Sequence, residues 1–208
     1  MINVITIDRE YRSGGSDIAR QLGARLGWKV WDQQLTLEIA RRMECECGAV
    51  EMREERRDPL YYRMMKAFFR GSAEGVQNLG TLKMVDADCV REISERVVIT
   101  AAKAGQSVIV GRGSAYYLHG RPDVFHVFIY APVEDKIRRM ERAGEARAGA
   151  LELLETVDRD RAAFIKQYFG REWPDRHLFH MMINSAIGDD AVVDTIMHSL
   201  QRVGHTAA

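Results

Sequence analysis

Residues 4–27 decide the fold: they read VITIDREYRSGGSDIARQLGARLG, an apolar run, a glycine loop and an amphipathic stretch in direct succession. The β-branched run at 2–7 predicts a strand, and the apolar residues after the loop recur at helical spacing up to Gly27, which is placed to end a helix. A strand, a loop and a helix in this order aim backbone N–H groups and the positive helix end at one point, where an anion binds well. Two glycines in the loop 13–16 also suit a tight connection without a ligand, so the loop alone leaves both interpretations open.

Strands and helices continue to alternate along the rest of the chain. Further strands are predicted from short apolar runs at 29–31, 107–110, 124–129 and 181–183. Helices are predicted from apolar spacing at 85–101, after Pro132, at about 150–169 and at about 189–202. This alternation favours an α/β fold with a parallel sheet covered by helices on both faces, in which ligands bind beyond the carboxyl ends of the strands.

The composition is that of an ordinary globular protein. The 208 residues are 46% hydrophobic and 29% charged, enough for one domain with a substantial core. The 30 Lys and Arg balance the 30 Asp and Glu, which disfavours nucleic acid as the main ligand. The sequence has no apolar run of roughly 20 residues, and its start, MINVITIDRE, lacks a signal-peptide pattern. We therefore expect a cytoplasmic protein with no membrane partner.

Nearly the whole chain resembles one family of enzymes. Residues 5–28, ITIDREYRSGGSDIARQLGARLGW, resemble the first strand, phosphate-binding loop (P-loop) and first helix of bacterial cytidylate kinases without a gap. The later segments that resemble the family are VIVGRGSAYYL (108–118), VFHVFIYAPVEDKIRRM (124–140), VDRDRAAFIKQYFG (157–170) and HMMINSAIGDDAVVDTI (180–196). The resemblance to this cytidylate kinase-like family of P-loop nucleoside monophosphate kinases implies a single three-layer domain over 1–208, with a short lid at about 140–162. It also implies ATP and Mg²⁺ as cofactors.

The loop departs from the usual P-loop pattern, G-x-x-x-x-G-K-[ST], in which the lysine reaches the β- and γ-phosphates. Arg9 stands at the position of the first glycine, and Gly15 stands where the lysine is expected. The resemblance implies that ATP is bound by Ser13, Gly14, Gly15, Ser16 and Asp17. It also implies that the Ser16 hydroxyl meets Mg²⁺, with Ser13 as the alternative.

Arg9 and Arg12 flank the loop and are the predicted replacements for the lysine, because a guanidinium binds phosphate through paired hydrogen bonds. In the other interpretation both are ordinary solvated side chains or pair with Glu10 and Asp17.

The acceptor side is predicted from the residues that follow two strands. Arg112 resembles the arginine of the family's Gly-Arg-Asp motif, which contacts the acceptor nucleotide, but Gly113 replaces the aspartate. Asp32 falls where the family has an aspartate near the acceptor; it either accepts a hydrogen bond from the acceptor, supports Mg²⁺ through water, or caps the following helix. For Arg112 the other interpretation is a structural ion pair or a helix cap.

Arg139 and Arg161 are the predicted lid residues. They lie on two predicted helices on either side of the glycine-containing link 144–149. The arrangement resembles the short lid of nucleoside monophosphate kinases, whose arginines close over the transferring phosphoryl group and exclude water. The many carboxylates nearby also fit a salt-bridged surface helix.

Residues from about 44 to 84 match the family least and are predicted to form an acceptor-side insertion or a mobile helical segment. The Met and aromatic cluster Tyr61–Phe69 is either core or a surface for the acceptor or for a second copy of the chain in a homodimer. Three cysteines argue against a disulfide framework, and Cys45 with Cys47 lacks the second pair of a structural zinc site.

Three functional hypotheses follow. The first is ATP-dependent phosphoryl transfer to a nucleoside monophosphate, with a CMP-like acceptor favoured by the resemblance. The second is a catalytically inactive, nucleotide-binding regulatory or scaffold protein, which Gly15 and Gly113 suggest. The third keeps the kinase but gives it another small acceptor, because one fold hosts many chemistries.

Overall fold

Five parallel strands form the sheet at the centre of the computed structural model, which describes residues 1–32, 35, 38, 39, 42 and 87–205. They are β1 (Val4–Arg9), β2 (Lys29–Trp31), β3 (Ser107–Val110), β4 (Val124–Tyr130) and β5 (Met181–Asn184). Their order across the sheet is β2-β3-β1-β4-β5, so β1 is the central strand. Ile7 of β1 lies opposite Val110 of β3 and Val127 of β4, which brings the carboxyl ends of these strands to one edge.

Helices connect the strands much as the sequence predicts. They are α1 (Gly15–Leu26), α2 (Ala87–Lys103), α3 (Ser114–Tyr117), α4 (Val133–Arg142), α5 (Ala150–Phe169) and α6 (Asp189–His205). The short α3 and a 3₁₀ turn at Ser185–Ile187 were not predicted. The first strand begins at Val4, two residues later than predicted, at the point where the N–H groups of Asn3 and Val4 donate to the Asp123 carbonyl. It runs on to Arg9, because Arg9 still pairs with Ile129 of β4.

Two hydrophobic clusters cover the two faces of the sheet. Successive residues of a strand point to opposite faces. Ile5 and Ile7 of β1 therefore pack with α1 and α6, whereas Val4 packs on the other face with residues of α2 and α5. A smaller cluster joins the loop residue Tyr11 to α4 and α5. The α/β fold with helices on both faces of a parallel sheet is confirmed.

One predicted segment lies outside the described residues, and another lies within them. The segment at about 44–84, with Cys45, Cys47 and the cluster Tyr61–Phe69, lies outside the described residues. The predicted lid region, about 140–162, comprises the end of α4, the link from 143 to 149 and the first part of α5. Within the described ranges, every helix is too short or too polar to cross a membrane.

A buried polar pair lies inside the sheet. The Thr6 hydroxyl and His126 Nδ1 are 2.7 Å apart on neighbouring strands, and the His126 backbone N–H donates to His180 Nδ1 at 2.9 Å. The two imidazole rings are stacked, with centroids 5.3 Å apart. Burial, followed by the proximity of His180, lowers the pKa of His126 to about 4. The fold therefore holds this histidine neutral at physiological pH.

We expect the stability of the fold to decrease as the pH falls from about 6.5 towards 4. Below 6.5 the unfolded chain binds a proton at His126 that the folded chain does not, and this difference grows to roughly 3 kcal/mol near pH 4. The measurement is the free energy of unfolding in urea at pH 7.5 and at pH 5 for the wild type and for His126→Gln. The variant should lose less stability than the wild type, and the exposed His198→Gln control should match the wild type. Equal losses in all three proteins would contradict the prediction.

Candidate active site

The loop between β1 and α1 presents unpaired backbone donors at the carboxyl edge of the sheet. The N–H groups of Gly14, Gly15, Ser16 and Asp17 have no acceptor within the described part of the chain, and no side chain caps the helix. The turn needs left-handed backbone at Arg12, with φ of 61°, and at Gly14, with φ of 86°. Because the helix dipole adds to these donors, the loop forms an anion site.

The side chains of the loop divide into structural and open ones. Ser13 is fully buried, and its hydroxyl shares its one hydrogen between the carbonyl oxygens of Glu10, at 2.9 Å, and Ile129, at 3.1 Å. Asp17 forms an exposed ion pair with Arg20. Ser16, on the first turn of α1, is partly exposed, so among the loop hydroxyls it is the one placed to meet a metal ion.

Buried ion pairs hold the loop from the side of α4 and α5. Lys136 Nζ lies 2.6 Å from Glu10 Oε2 and 3.5 Å from Asp158 Oδ2. Asp158 Oδ1 accepts a hydrogen bond of 2.7 Å from the Tyr11 N–H, and burial raises the pKa of its carboxyl. Lys136 is thus engaged with two carboxylates and does not take the place of the missing loop lysine.

Arg9 crosses the loop to reach the neighbouring strand. Its side chain is buried and passes directly over Gly15, where a Cβ would lie 2.7 Å from Arg9 Cγ. Its guanidinium lies against Gly111 at the end of β3, where a Cβ would overlap Nη1. Arg9 Nη2 is 4.0 Å from Asp32 Oδ1. Arg9 therefore connects the phosphate loop with the predicted acceptor side.

Three arginines converge in one pocket at this edge of the sheet. The pocket is lined by Asp8, Arg9, Arg112, Gly113, Arg161, Phe164, Ile165 and Trp173. Burial, reinforced by repulsion from Arg9, lowers the pKa of Arg112 to about 9 and that of Arg161 to about 10. Both guanidinium groups stay charged at neutral pH. Their lowered pKa values result from several positive charges that lie close together and away from water. Such a cluster attracts an anion.

Arg112 reaches the pocket through a strained backbone. Its φ of 58° lies in the left-handed region, between two glycines that also have positive φ. A non-glycine residue in this conformation costs on the order of 1 kcal/mol, and such strain is concentrated at functional sites. Gly113 is crowded as well, because a Cβ there would lie 2.9 Å from Phe169 Cζ and 3.1 Å from Tyr117 Cε2. Aromatic rings thus occupy the space beside the position where the family's aspartate is expected.

The predicted lid residues lie on different sides of the loop. Arg139 is held by two hydrogen bonds to Asp189, of 2.5 and 3.1 Å, and its guanidinium covers Gly14. Arg161 instead donates to the carbonyl of Arg9 at 2.8 Å, next to the three-arginine pocket. The structure brings Arg161 together with Arg9 and Arg112 in the pocket, with Asp32 next to Arg9, whereas Arg139 lies over Gly14.

Other arginines of the lid region follow the alternative interpretation. Arg138 pairs with Asp135 on the same helix, and Arg147 pairs with Glu134 and Glu141, all on the surface. These contacts are those of a salt-bridged surface.

Arg12 forms an ion pair with Glu145 in the link between α4 and α5. Its guanidinium also lies over the Tyr11 ring, at 5.3 Å from the centroid.

Sequence reasoning missed three residues around the pocket. Asp8 is the second-last residue of β1 and accepts hydrogen bonds from the Arg9 N–H, at 2.9 Å, and from Trp173 Nε1, at 3.0 Å. An acid at the carboxyl end of a buried strand is a signal that identifies Asp8. Asp158 and Trp173 carry no such signal, because their neighbours in space are distant in the chain.

A model of a known protein family matches most of the chain. The family model described as cytidylate kinase-like family matches residues 4–187. The chain belongs to the cytidylate kinase-like family. No curated protein sequence matches the chain.

Solved structures share the fold at low identity. An uncharacterized protein from Eubacterium ventriosum ATCC 27560 is 22% identical with a TM-score of 0.67, over 97% of this chain and 99% of that one. Shikimate kinase from Acinetobacter baumannii, in complex with shikimate, is 15% identical with a TM-score of 0.54, over 97% and 94%. Shikimate kinase from Bacteroides thetaiotaomicron is 12% identical with a TM-score of 0.54, over 97% and 99%. These likenesses support the P-loop kinase fold.

The residues of the loop fit the phosphates of a nucleotide, because the donors at Gly14–Asp17 are unpaired. Across the described ranges, no group of three His, Cys, Asp or Glu side chains is arranged to hold a metal ion. A Mg²⁺ ion here would therefore rest on Ser16, on phosphate oxygens and on water, a donor set typical of this ion.

We expect Lys136→Met to destabilise the protein by about 3 kcal/mol, because it leaves two carboxylates, Glu10 and Asp158, without their buried cation. Lys166 provides the matched control. Its Nζ is also 2.6 Å from a carboxylate, that of Glu172, but its side chain is 61% exposed, compared with 8% for Lys136. Lys166→Met should cost less than about 1 kcal/mol. The measurement is the free energy of unfolding in urea for both variants and the wild type. Equal losses in the two variants would contradict the prediction that the buried lysine stabilises the protein more than the exposed one.

Proposed function

We propose that the protein transfers the γ-phosphoryl group of ATP to a small acceptor that carries an anionic group. The observation that carries this proposal is the meeting of Arg9, Arg112 and Arg161 in one pocket, directly beside a loop with unpaired backbone donors. Two anions must approach each other during phosphoryl transfer, so fixed cations between them provide the main stabilisation.

On the donor side, the N–H groups of Gly14–Asp17 bind the phosphates of the nucleotide. Arg139, which lies over Gly14, adds a positive charge there. ATP with Mg²⁺ supplies the transferable phosphoryl group, and Ser16 is the residue that we assign to the metal ion.

On the acceptor side, Arg112 and Arg161 bind the anion of the acceptor through their guanidinium forks. Burial keeps both side chains in fixed positions, so little reorganisation accompanies binding. Asp32 lies next to Arg9 and accepts a hydrogen bond from the acceptor. Phe164 and Trp173 form the apolar wall of the pocket and exclude water from it.

A nucleoside monophosphate, with CMP favoured by the family, is the first candidate for the acceptor. A second candidate is a non-nucleotide acid or phosphate with a free hydroxyl. The observation that favours it is the crowding at Gly113, where Phe169 and Tyr117 leave no room for the aspartate of the family's Gly-Arg-Asp motif. The structures of shikimate kinase, an enzyme named for a hydroxylated acid, share the fold.

The test is phosphoryl transfer from γ-labelled ATP with Mg²⁺ to a panel of nucleoside monophosphates and hydroxylated acids. We expect turnover of one acceptor class, and a loss of about 10²-fold or more in kcat/KM when Arg112 or Arg161 is replaced by Ala, because each replacement removes a charge-assisted contact to the anion of the acceptor. Arg25→Ala, which removes an exposed arginine of α1, is the control and should leave the rate unchanged.

ATP binding without transfer to any acceptor would contradict the proposal and would favour the inactive, regulatory hypothesis. Transfer that survives in both Arg112→Ala and Arg161→Ala would show that the acceptor binds elsewhere.

A further inference from the structure

The phosphate loop lacks a side chain at the position where a lysine is expected, and the side chain of another loop residue fills that space. A Cβ on Gly15 would lie 2.7 Å from Arg9 Cγ and 2.8 Å from Arg9 Cβ, closer than real Cβ contacts. The backbone of Gly15 is not in the left-handed region, so Arg9, rather than φ, is what excludes a side chain at residue 15.

The length of Arg9 suits the role of a loop cation. From Cγ, which lies over Gly15, an arginine has as many bonds to its terminal nitrogens as a lysine has from Cβ to Nζ. Beyond residue 15, Arg9 therefore has the same number of bonds to its charged group as a lysine side chain has beyond its Cβ. Its guanidinium ends against Gly111, whose missing side chain leaves room for Nη1.

Three other cations lie around the loop, and each forms an ion pair, as Arg9 does with Asp32. Arg12 pairs with Glu145, Lys136 with Glu10 and Asp158, and Arg139 with Asp189. Arg9 differs from them in position, because its side chain is the one that lies over residue 15, whereas that of Arg139 lies over Gly14.

We infer that Arg9 and Gly15 are an exchanged pair: Arg9 supplies the phosphate-binding cation of the loop from its first position, and Gly15 is glycine so that Arg9 can cross. The exchange explains both departures from the usual P-loop pattern. An arginine stands at the position of the first glycine, and a glycine stands at the position of the lysine. This inference deepens the proposed function and rests on it for the identification of the loop as a nucleotide site.

The test is a double-mutant cycle read out by the affinity for MgATP in calorimetry, which does not depend on turnover. Arg9→Gly should weaken binding about 10- to 100-fold, the loss of a charge-assisted contact. Gly15→Ala should weaken it by a similar factor, because the new Cβ displaces Arg9. The double variant should bind no worse than Arg9→Gly alone, since neither Cβ nor Cγ of Arg9 is left to meet the new Cβ.

A second arm restores the usual loop. Arg9→Gly combined with Gly15→Lys should bind MgATP about 10-fold more tightly than Arg9→Gly alone, because the cation returns on the other residue. Gly15→Lys alone should bind more weakly than the wild type, since the new side chain meets Arg9. Adenosine serves as the control ligand: its affinity should be the same in all variants, because it has no phosphate. Thermal unfolding verifies that each variant is folded.

Additive losses in the Arg9→Gly and Gly15→Ala cycle would overturn the exchange, and so would unchanged affinity in Arg9→Gly. A wild type that does not bind MgATP would overturn both the exchange and the proposed function. A wild type that binds MgATP, shows the non-additive cycle and transfers no phosphate would leave the exchange standing and refute only the proposed transfer.

Discussion

The buried ion pairs of Lys136 with Glu10 and Asp158 are the constraint on which the rest of the site depends. They bind the segment after β1 to α4 and α5, and the backbone of Tyr11 adds a hydrogen bond to Asp158. Helix α5, which carries Asp158, also brings Arg161 to the carbonyl of Arg9. The path of the loop, and with it the positions of Arg9 and Arg161, depends on this connection.

The second requirement is the accommodation of three positive charges in a small volume. Arg9, Arg112 and Arg161 repel one another, and burial removes the water that would screen them. Asp8 and Asp32 lie close enough to offset part of this charge. The strained backbone at Arg112 is a further cost to folding that the packing of the sheet must offset. A protein does not maintain such an arrangement for stability alone, which is why we place the acceptor there.

The sequence predicts the fold well because the strand, loop and helix of residues 4–27 are local. Apolar spacing and the position of Gly27 specify them without reference to the rest of the chain. The site is less predictable. From the sequence, Arg9 and Arg12 are equivalent neighbours of the loop, and the two glycines that leave room for Arg9 are separated in the chain by the whole of β2 and α2. The contacts of Trp173 and Asp158 likewise depend on tertiary packing, and no local pattern encodes them.

The pair of Arg139 with Asp189 gives the donor side a further property. The Arg139 guanidinium over Gly14 is already held by the Asp189 carboxylate. A ligand that binds there therefore does not have to immobilise a free side chain, but it has to compete with Asp189 for the hydrogen bonds of Arg139. An anion with a single charge gains little from this exchange, whereas a chain of phosphates also reaches the N–H groups of the loop. Under the proposed function, the resting ion pair of Arg139 with Asp189 therefore favours a polyphosphate over a simple anion.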